Sequence, residues 1–371
     1  MRKVTSRNST FLRKTKFSFK AKIVYFRVMK LLRKILFPFS LLYGGITWCR
    51  NWLYDKAVLQ SYTFPVPVIA VGNLSVGGTG KTPQIEYLIR LVSPKYKIAT
   101  LSRGYKRTSK GFILADATSD AAILGDEPFQ YYQKFPNVQV AVDANRKNGI
   151  ARLLLQPEKP EVVLLDDAYQ HRKVKAGFYI LLTAYNDLYA DDSILPVGNL
   201  RESRSGAQRA DCIIVTKCPE DLSKSEQEKI RNKLKPWAGQ PLYFSTVIYD
   251  QFVLSGQQQL PVANIRNEKK VLLAGIAKPA PFFEYLKNDN DTVLAFPDHH
   301  YFTDKDITTI KDKAGSNIII TTEKDYVRLK GAIPEEQLFY LPIQSRFIEN
   351  KEDFDLSVLI YLENSINNLY V

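Results

Sequence analysis

The chain reads Gly72-Asn73-Leu74-Ser75-Val76-Gly77-Gly78-Thr79-Gly80-Lys81-Thr82-Pro83, and this stretch decides its fold class. It follows the apolar run 68–71, which is typical of a buried strand. Its core Gly-Gly-Thr-Gly-Lys-Thr has the pattern of a Walker A loop, in which backbone N–H groups close around phosphates at a helix N-terminus. A chance glycine-rich turn is the alternative, but the strand before and the helical pattern after the loop favour the phosphate site.

In a loop of this kind the lysine, Lys81, reaches the β- and γ-phosphates, and the hydroxyl of Thr82 holds Mg²⁺. One position departs from the pattern G-x-x-x-x-G-K-[ST], because Ser75 stands where the first glycine is usual. The sequence therefore predicts ATP and Mg²⁺ as cofactors. The predicted phosphate cradle comprises Ser75, Val76, Gly77, Gly78, Thr79, Gly80, Lys81 and Thr82.

A second apolar run, 162–165, ends in the paired acids Asp166 and Asp167. An acid that ends a parallel strand lies at the carboxyl edge of the sheet, where P-loop proteins hold the water shell of Mg²⁺. Paired acids also occur in solvated turns. The Walker A loop upstream favours the interpretation as a Walker B strand, so both acids are predicted metal-site residues.

Apolar, β-branched runs alternate with helical or polar stretches after residue 60, which predicts an α/β fold with a parallel sheet covered on both faces. The candidate strands are 68–71, 98–101, 138–142, 162–165, 179–182, 212–216 and 243–248, followed by a second set at 271–274, 293–296, 318–321 and 339–341. The polar stretch 255–269 is the predicted linker. We therefore expect a P-loop NTPase-type domain at 59–255 and a smaller α/β domain at 256–371 that closes the cleft.

The net charge of +14 is concentrated at one end of the chain. Residues 1–56 contain fourteen Lys and Arg against one acid, Asp55, so the rest of the 371 residues carries a net charge of only +1. A basic segment beside apolar sequence indicates an anionic membrane surface rather than a nucleic-acid groove. The three cysteines match no zinc or redox spacing, which favours a reducing compartment without disulfides.

Residues 35–49 form an uncharged, largely apolar run that is shorter than the roughly 20 residues needed to span a bilayer. Basic residues flank it, and Trp48, Trp52 and Tyr54 suit the headgroup region. We expect a membrane-associated amphipathic helix at 29–58, interfacial or shallowly inserted. A buried core helix is the alternative. A signal peptide is disfavoured because no small-residue cleavage site follows.

Residues 1–28 contain nine Lys and Arg and no acid. Two interpretations stay open: a disordered basic arm, or translation that begins at Met29. The motifs also leave more than one function open at this point. A P-loop ATPase of protein targeting or metal insertion would use similar loops. A membrane-docked GTP-binding switch would need an Asn-Lys-x-Asp segment, which Val215-Thr216-Lys217-Cys218 matches only in part.

Further blocks of sequence resemble the tetraacyldisaccharide 4′-kinase family of lipid A biosynthesis. Together with the P-loop, in which Ser75 is normal for that family, they are Leu101-Ser102-Arg103-Gly104-Tyr105, Gly125-Asp126-Glu127-Pro128, Asp143-Ala144-Asn145-Arg146, Asp166-Asp167-Ala168-Tyr169-Gln170-His171, Leu200-Arg201-Glu202, Phe296-Pro297-Asp298-His299-His300-Tyr301-Phe302 and Thr322-Glu323-Lys324-Asp325. The resemblance runs from about Met29 to the C-terminal region. Only the basic extension before Met29 departs from it.

The resemblance implies that ATP phosphorylates the 4′-hydroxyl of tetraacyldisaccharide 1-phosphate at the cytoplasmic face of a Gram-negative inner membrane. It implies no nucleic-acid partner, and no obligate protein partner is evident. A hydroxyl nucleophile calls for a proton acceptor, and Asp126, which looks like the family's catalytic aspartate, is the first candidate. Glu127 is expected to orient Asp126 or to join the metal shell. A Gly-Asp-Glu-Pro surface turn is the bland alternative for both.

The remaining polar residues of these blocks are assigned roles as well. His299 is expected to reach across the cleft to assist Asp126, although a satisfied loop histidine is the alternative. Arg103, Tyr105 and Arg201 are predicted phosphate contacts, to ATP or to the lipid 1-phosphate. His171 is expected to shape the Walker B loop, and His300 receives no role. Two segments at strand ends, Thr216-Lys217 and Glu323-Lys324-Asp325, resemble nucleobase-recognition segments, or are solvated strand ends.

Overall fold

The computed structural model describes residues 35–368. The predicted basic extension at 1–28 and the first residues of the predicted membrane helix, 29–34, lie outside the described residues. Two α/β units follow the first helix, and each is built on its own sheet. The eleven strands predicted from the apolar runs are all present, within two residues of the expected bounds.

The first sheet has nine strands in the order β15-β8-β7-β6-β1-β5-β2-β4-β3. Its seven inner strands pair in parallel, whereas β3 and β15 are antiparallel edge strands, so the sheet is mixed rather than purely parallel. The strands are β1 Val68–Asn73, β2 Ile98–Ser102, β3 Ile113–Leu114, β4 Gln139–Val142, β5 Val162–Asp166, β6 Phe178–Ala184, β7 Cys212–Thr216, β8 Leu242–Tyr249 and, near the chain end, β15 Ile343–Phe347.

Helices cover both faces of this sheet, which is why its central strands are apolar on both sides. Every residue of β1, β2, β5 and β7 is buried. The helices up to the second unit are α1 Phe37–Asp55, α2 Lys81–Val92, α3 Ala121–Leu124, α4 Asp126–Lys134, α5 Arg146–Leu153 and α6 Lys224–Leu234.

The second sheet has six strands in the order β10-β9-β14-β13-β11-β12. Its strands are β9 Phe252–Ser255, β10 Gln258–Pro261, β11 Val271–Ala274, β12 Thr292–Ala295, β13 Ile319–Thr322 and β14 Leu338–Leu341. Its helices are α7 Val262–Ile265, α8 Ala280–Leu286, α9 Asp304–Ala314 and α10 Glu323–Leu329. The chain ends in α11 Lys351–Asn367.

The expectation of a linker at 255–269 is wrong, because this stretch is folded. β9 and β10 form an antiparallel hairpin joined by Gly256 and Gln257, and α7 follows directly. Gly256 has a positive φ of 53°, a conformation that glycine adopts without steric cost and that a two-residue hairpin turn requires. The polar residues that suggested a linker are the exposed face of an edge hairpin.

The second domain also ends earlier than position 371. β15 returns to the first sheet and pairs with β8, and α11 then packs against the core of that sheet. Phe354, Val358 and Leu362, spaced by four residues, lie on one face of α11 and are fully buried there. The second unit is therefore an insertion between β8 and β15, a crossover that local sequence patterns do not reveal.

Helix α1 has its polar side against the protein and its apolar side outward. The hydroxyl of Ser40 donates to the Ile194 carbonyl at 2.7 Å, and the hydroxyl of Tyr43 donates to the Arg201 carbonyl at 3.1 Å. The outward side carries large exposed apolar residues, namely Phe37, Phe39, Leu41, Leu42, Ile46 and Trp48. This arrangement excludes the buried core helix. None of the helices within residues 35–368 is long and apolar enough to cross a membrane.

The return of α11 to the first domain leads to a stability prediction. Phe354→Ala should lower the free energy of unfolding of the first domain by about 3–5 kcal/mol, because it leaves a cavity in the core cluster. Leu356→Ala, on the same helix but 56% exposed, is the matched control and should change it by less than about 0.5 kcal/mol. Urea unfolding curves measure both values. Equal losses in the two variants would contradict the packing of α11.

Candidate active site

The phosphate loop lies between β1 and α2, at the carboxyl edge of the first sheet. Gly77 and Gly80 have positive φ values of 115° and 83°, which let the chain turn tightly into the N-terminus of α2. The loop is tied to the segment before Arg201, since the amide of Val76 donates to the Asn199 carbonyl at 2.8 Å. A helix N-terminus and loop amides in this arrangement can hold an anion.

Lys81 lies among the acids of the second motif. Its ammonium group is 3.6 Å from a carboxylate oxygen of Asp167 and 3.4 Å from the side-chain oxygen of Asn73. Arg201 contacts Asp167 as well, at 3.1 Å. Burial opposes ionisation of Asp167, but Lys81 and Arg201 outweigh it and hold the pKa of this carboxyl below its usual value. Asp167 is thus an ionised partner of two cations.

Asp166 has a different environment from its neighbour. One oxygen, Oδ2, accepts from the hydroxyls of Ser102 at 3.3 Å and Tyr131 at 3.4 Å. The other, Oδ1, is buried and has no hydrogen-bond partner among the described residues. Burial, followed by the nearby charge of Asp167, raises the pKa of Asp166 to about 6. A buried carboxylate oxygen without a partner is a free ligand position.

The donor set fits Mg²⁺, which binds oxygen ligands and usually takes only one or two carboxylates beside substrate phosphates. The free oxygen of Asp166 is such a ligand, and the hydroxyl of Tyr131 holds its other oxygen at 3.4 Å. Within residues 35–368, no three His, Cys, Asp or Glu side chains converge as a metal site by themselves. Glu127 is engaged elsewhere, in an ion pair with Lys324 at 2.5 Å.

Asp126 begins helix α4 and faces the second domain. His299 Nδ1 lies 3.1 Å from its Oδ2. Arg328 donates to both oxygens, through Nε to Oδ1 at 3.1 Å and through Nη2 to Oδ2. Burial opposes ionisation, but the hydrogen bonds from His299 and Arg328 prevail, so the pKa of Asp126 lies well below its usual value. The structure therefore brings Asp126 and His299 together from two domains.

Arg328 is the site residue that the sequence reasoning missed. It lies four residues after Lys324 on α10, so the two cations share a helix face and meet Asp126 and Glu127 at the start of α4. Arg328 is in turn held by the fully buried Asp325, at 3.1 Å. The spacing of Lys324 and Arg328 by four residues after β13 could have indicated a basic helix face. Nothing in the local sequence indicated that this face would meet the acids at the start of α4.

The predicted phosphate contacts lie around the same cleft, with different partners. The ring of Tyr105 is 5.6 Å from that of His299, in an edge-to-face arrangement. Arg201 pairs with Asp167. Arg103 is exposed, and within residues 35–368 its side chain makes no hydrogen bond or ion pair. An exposed guanidinium beside the site is available to an anionic ligand.

The other two histidines are distinct from this cleft pair. Burial, then the charge of Arg146, lowers the pKa of the His171 imidazole to about 4, so this side chain is neutral near pH 7. His300 Nε2 lies 3.1 Å from Asp306, the residue that closes the capping box at the start of α9. A structural role explains His300.

The segment Glu323-Lys324-Asp325 faces protein rather than open space. Glu323 pairs with Lys134 at 2.6 Å. Lys324 pairs with Glu127, and Asp325 with Arg328. These contacts account for all three side chains as links between the two domains and supports of the cleft. They leave the prediction of nucleobase recognition by this segment untested.

The arrangement as a whole joins a phosphate loop, a free carboxylate ligand for Mg²⁺ and a carboxylate–imidazole pair at one cleft. These are the parts that phosphoryl transfer to a hydroxyl needs, namely positioning, charge neutralisation and a proton acceptor.

Comparison with known proteins agrees with this geometry. The family profile described as "Tetraacyldisaccharide-1-P 4'-kinase" matches residues 32–361. A tetraacyldisaccharide 4′-kinase of Flavobacterium johnsoniae is 64% identical over 338 residues, covering 91% of this chain and 99% of the relative. One of Bacteroides thetaiotaomicron is 44% identical over 361 residues, covering 91% and 95%.

The fold is similar to that of a solved relative as well. A crystal structure of LpxK from Aquifex aeolicus in complex with ATP superposes with a TM-score of 0.74 at 32% sequence identity, covering 89% of this chain and 99% of the other. Profile, sequence and fold agree over nearly the whole chain, and the chain belongs to the tetraacyldisaccharide 4′-kinase family.

Proposed function

We propose that this protein transfers the γ-phosphate of ATP to the 4′-hydroxyl of tetraacyldisaccharide 1-phosphate and so forms lipid IVA in lipid A biosynthesis. Family membership supports the reaction. One helix carries the mechanistic argument. The first residue of α4, Asp126, contacts His299 of the second domain, and Tyr131, five residues later, contacts Asp166 at the phosphate loop. α4 thus links the proposed proton acceptor to the proposed metal site.

In this proposal the phosphates of ATP lie on the amides of the loop from Ser75 to Thr82, with Lys81 at the β- and γ-phosphates. Asp166 and Thr82 would hold Mg²⁺, with Asp167 and Glu127 as the further candidates. The ion would neutralise charge on the phosphates when bound. Of these four residues, Glu127 has the least support as a metal ligand, because its ion pair with Lys324 must open before its carboxylate can bind the ion.

Asp126 is the proposed proton acceptor for the sugar hydroxyl. An ionised carboxylate is required for that role, and its contacts with Arg328 and His299 favour the ionised form. The hydroxyl proton moves to Asp126 as the hydroxyl oxygen bonds to the γ-phosphorus, while the bond between that phosphorus and the bridging oxygen breaks and ADP leaves. His299 orients the carboxylate and assists the same step. Either His299 or Arg328 must release one carboxylate oxygen of Asp126, so that this oxygen can accept the hydroxyl proton. The contacts described above are therefore those of the site before substrate binds.

Arg103, Tyr105 and Arg201 are the proposed contacts to phosphate groups of substrate or nucleotide. Arg103 is free for such a contact. Arg201 already contacts Asp167, so a bound phosphate would share its guanidinium with that carboxylate. The position of Tyr105 beside His299 supports a role at the acceptor side of the cleft.

The outward face of α1 is the proposed membrane contact, at the cytoplasmic face of the inner membrane. Phe37, Phe39, Leu41, Leu42, Ile46 and Trp48 form this face. An apolar helix face of this kind inserts at the headgroup and acyl boundary. The polar side of the helix contacts the segment 194–202, which carries Arg201 to the cleft. The membrane contact and the site are thus linked by one short segment.

The proposal is tested by phosphate transfer from radiolabelled ATP to the disaccharide 1-phosphate in detergent micelles. The wild type should label the lipid. Lys81→Ala should lower turnover by orders of magnitude and leave the fold intact, because the lysine binds phosphate and is not part of a hydrophobic core. ATP hydrolysis without labelled lipid would instead support a P-loop ATPase. Near-normal transfer by a folded Lys81→Ala variant would remove the P-loop from the mechanism.

The proton acceptor has a test of its own. Asp126→Asn keeps size and shape but loses basicity, so kcat should fall by about 10²–10⁴ with little change in the Kd of ATP. His299→Ala should lower kcat less. The double variant should be little worse than Asp126→Asn alone, because residues that act on one step are non-additive. Full activity of Asp126→Asn would move the base elsewhere, and a loss confined to ATP affinity would make Asp126 a metal-site residue.

The membrane face is tested by the paired change Leu41→Gln and Leu42→Gln. Both side chains are more than 60% exposed, so the fold should be unaffected while binding to phosphatidylethanolamine and phosphatidylglycerol vesicles weakens by about tenfold or more. Leu356→Gln, an exposed leucine on α11, is the matched control. Vesicle co-sedimentation measures binding, and activity in micelles should stay near wild type. Equal vesicle binding by both variants would contradict the proposed face.

A further inference from the structure

Strand β7 ends at Thr216 beside the phosphate loop, and Lys217 follows it. The mechanism above uses neither side chain. The hydroxyl of Thr216 donates to the Thr79 carbonyl at 2.7 Å, with the Thr183 carbonyl further away at 3.3 Å. The ammonium group of Lys217 donates to the Gly78 carbonyl at 2.6 Å. Two consecutive side chains therefore hold two consecutive carbonyls of the loop.

The planarity of the peptide unit gives these contacts a consequence for anion binding. In a trans peptide the C=O of one residue and the N–H of the next point in opposite directions. Holding the Gly78 and Thr79 carbonyls on the β7 side therefore turns the N–H groups of Thr79 and Gly80 to the opposite side. A carbonyl facing the inside of the loop would instead repel phosphate oxygens.

The conformation of Lys217 is unusual for its residue type. Its φ is 58°, in the left-handed region that residues with a Cβ adopt only at a steric cost. Backbone strain of this kind is tolerated where a specific contact is required.

We propose that Thr216 and Lys217 are positioning residues for the phosphate loop, which orient its amides toward the phosphates of the nucleotide. This inference rests on the proposed assignment of the loop from Ser75 to Thr82 to ATP phosphates. It replaces the interpretation of Thr216-Lys217 as a nucleobase-recognition segment. Their contribution to binding should therefore be the same for any ligand that carries the phosphates, whether or not it carries a nucleobase.

Two variants separate the hydroxyl donor from the shape of the side chain: Thr216→Val, which is isosteric with threonine, and Thr216→Ser, which lacks only the methyl group. Valine removes the hydroxyl donor, and serine keeps it. Thr216→Val should raise the Kd of ATP and of inorganic tripolyphosphate by the same factor, about tenfold, as expected for one buried hydrogen bond. Thr216→Ser should stay within about twofold of wild type. Calorimetry without lipid measures ATP, and displacement of a fluorescent nucleotide measures tripolyphosphate.

Lys217→Met gives an independent variant, since methionine keeps an unbranched apolar stem but has no donor. It should weaken both ligands alike, and Lys217→Arg should restore part of the affinity. Thr118→Val removes an exposed hydroxyl far along the sequence and is the matched control, with wild-type binding expected. Thermal unfolding checks that every variant is folded.

The outcomes separate this inference from the proposed function. Lys81→Ala should abolish tripolyphosphate binding, and if it does not, the assignment of the loop to phosphates fails. If Lys81→Ala abolishes binding but Thr216→Val and Lys217→Met bind both ligands as wild type does, only the positioning role is overturned. Weaker ATP binding with unchanged tripolyphosphate binding also overturns it, because that result indicates contact with the base.

Discussion

The parallel pairing of β1 with its neighbours β5 and β6 places the chemistry of this protein at one edge of one sheet. Val71 of β1 is in register with Asp166 of β5. The pairing of these two strands therefore places the loop after β1 next to the acids that end β5. β7, one strand beyond β6, ends at the same edge and brings Thr216 and Lys217 to the loop. Because parallel strands all end on the same side, the loops that follow them form one crevice.

Charge pairing across the cleft is the second organising feature. Asp126 and Glu127 at the start of α4 face Arg328 and Lys324 on α10, so two adjacent ion pairs join the domains beside the proposed reaction centre. The groups are partly shielded from water, where such pairs are stronger than on an open surface. The same contacts keep the pKa of Asp126 low, so the geometry that brings the domains together also maintains an ionised carboxylate.

Helix α1 reverses the usual amphipathic arrangement, and the reversal suits a protein that works on a lipid. Its small and polar residues, Ser40 and Thr47, are buried against the protein, while its large apolar residues are exposed. An exposed apolar patch on a folded protein marks an interaction surface. The contact of Tyr43 with the Arg201 backbone makes this surface continuous with the segment that reaches Asp167.

The sequence by itself determined the elements that depend on neighbouring residues. Apolar β-branched runs located eleven strands, and the loop with Lys81 and Thr82 and the paired acids Asp166 and Asp167 identified a nucleotide site, because these motifs are written in consecutive residues. Three features became visible only in the folded structure: the return of β15 and α11 to the first sheet, the hairpin at Gly256 and the approach of Arg328 to Asp126. The return of β15 and α11 and the approach of Arg328 to Asp126 depend on which surfaces meet after the chain has crossed between domains. The partners in such contacts, 202 residues apart for Asp126 and Arg328, share no local pattern.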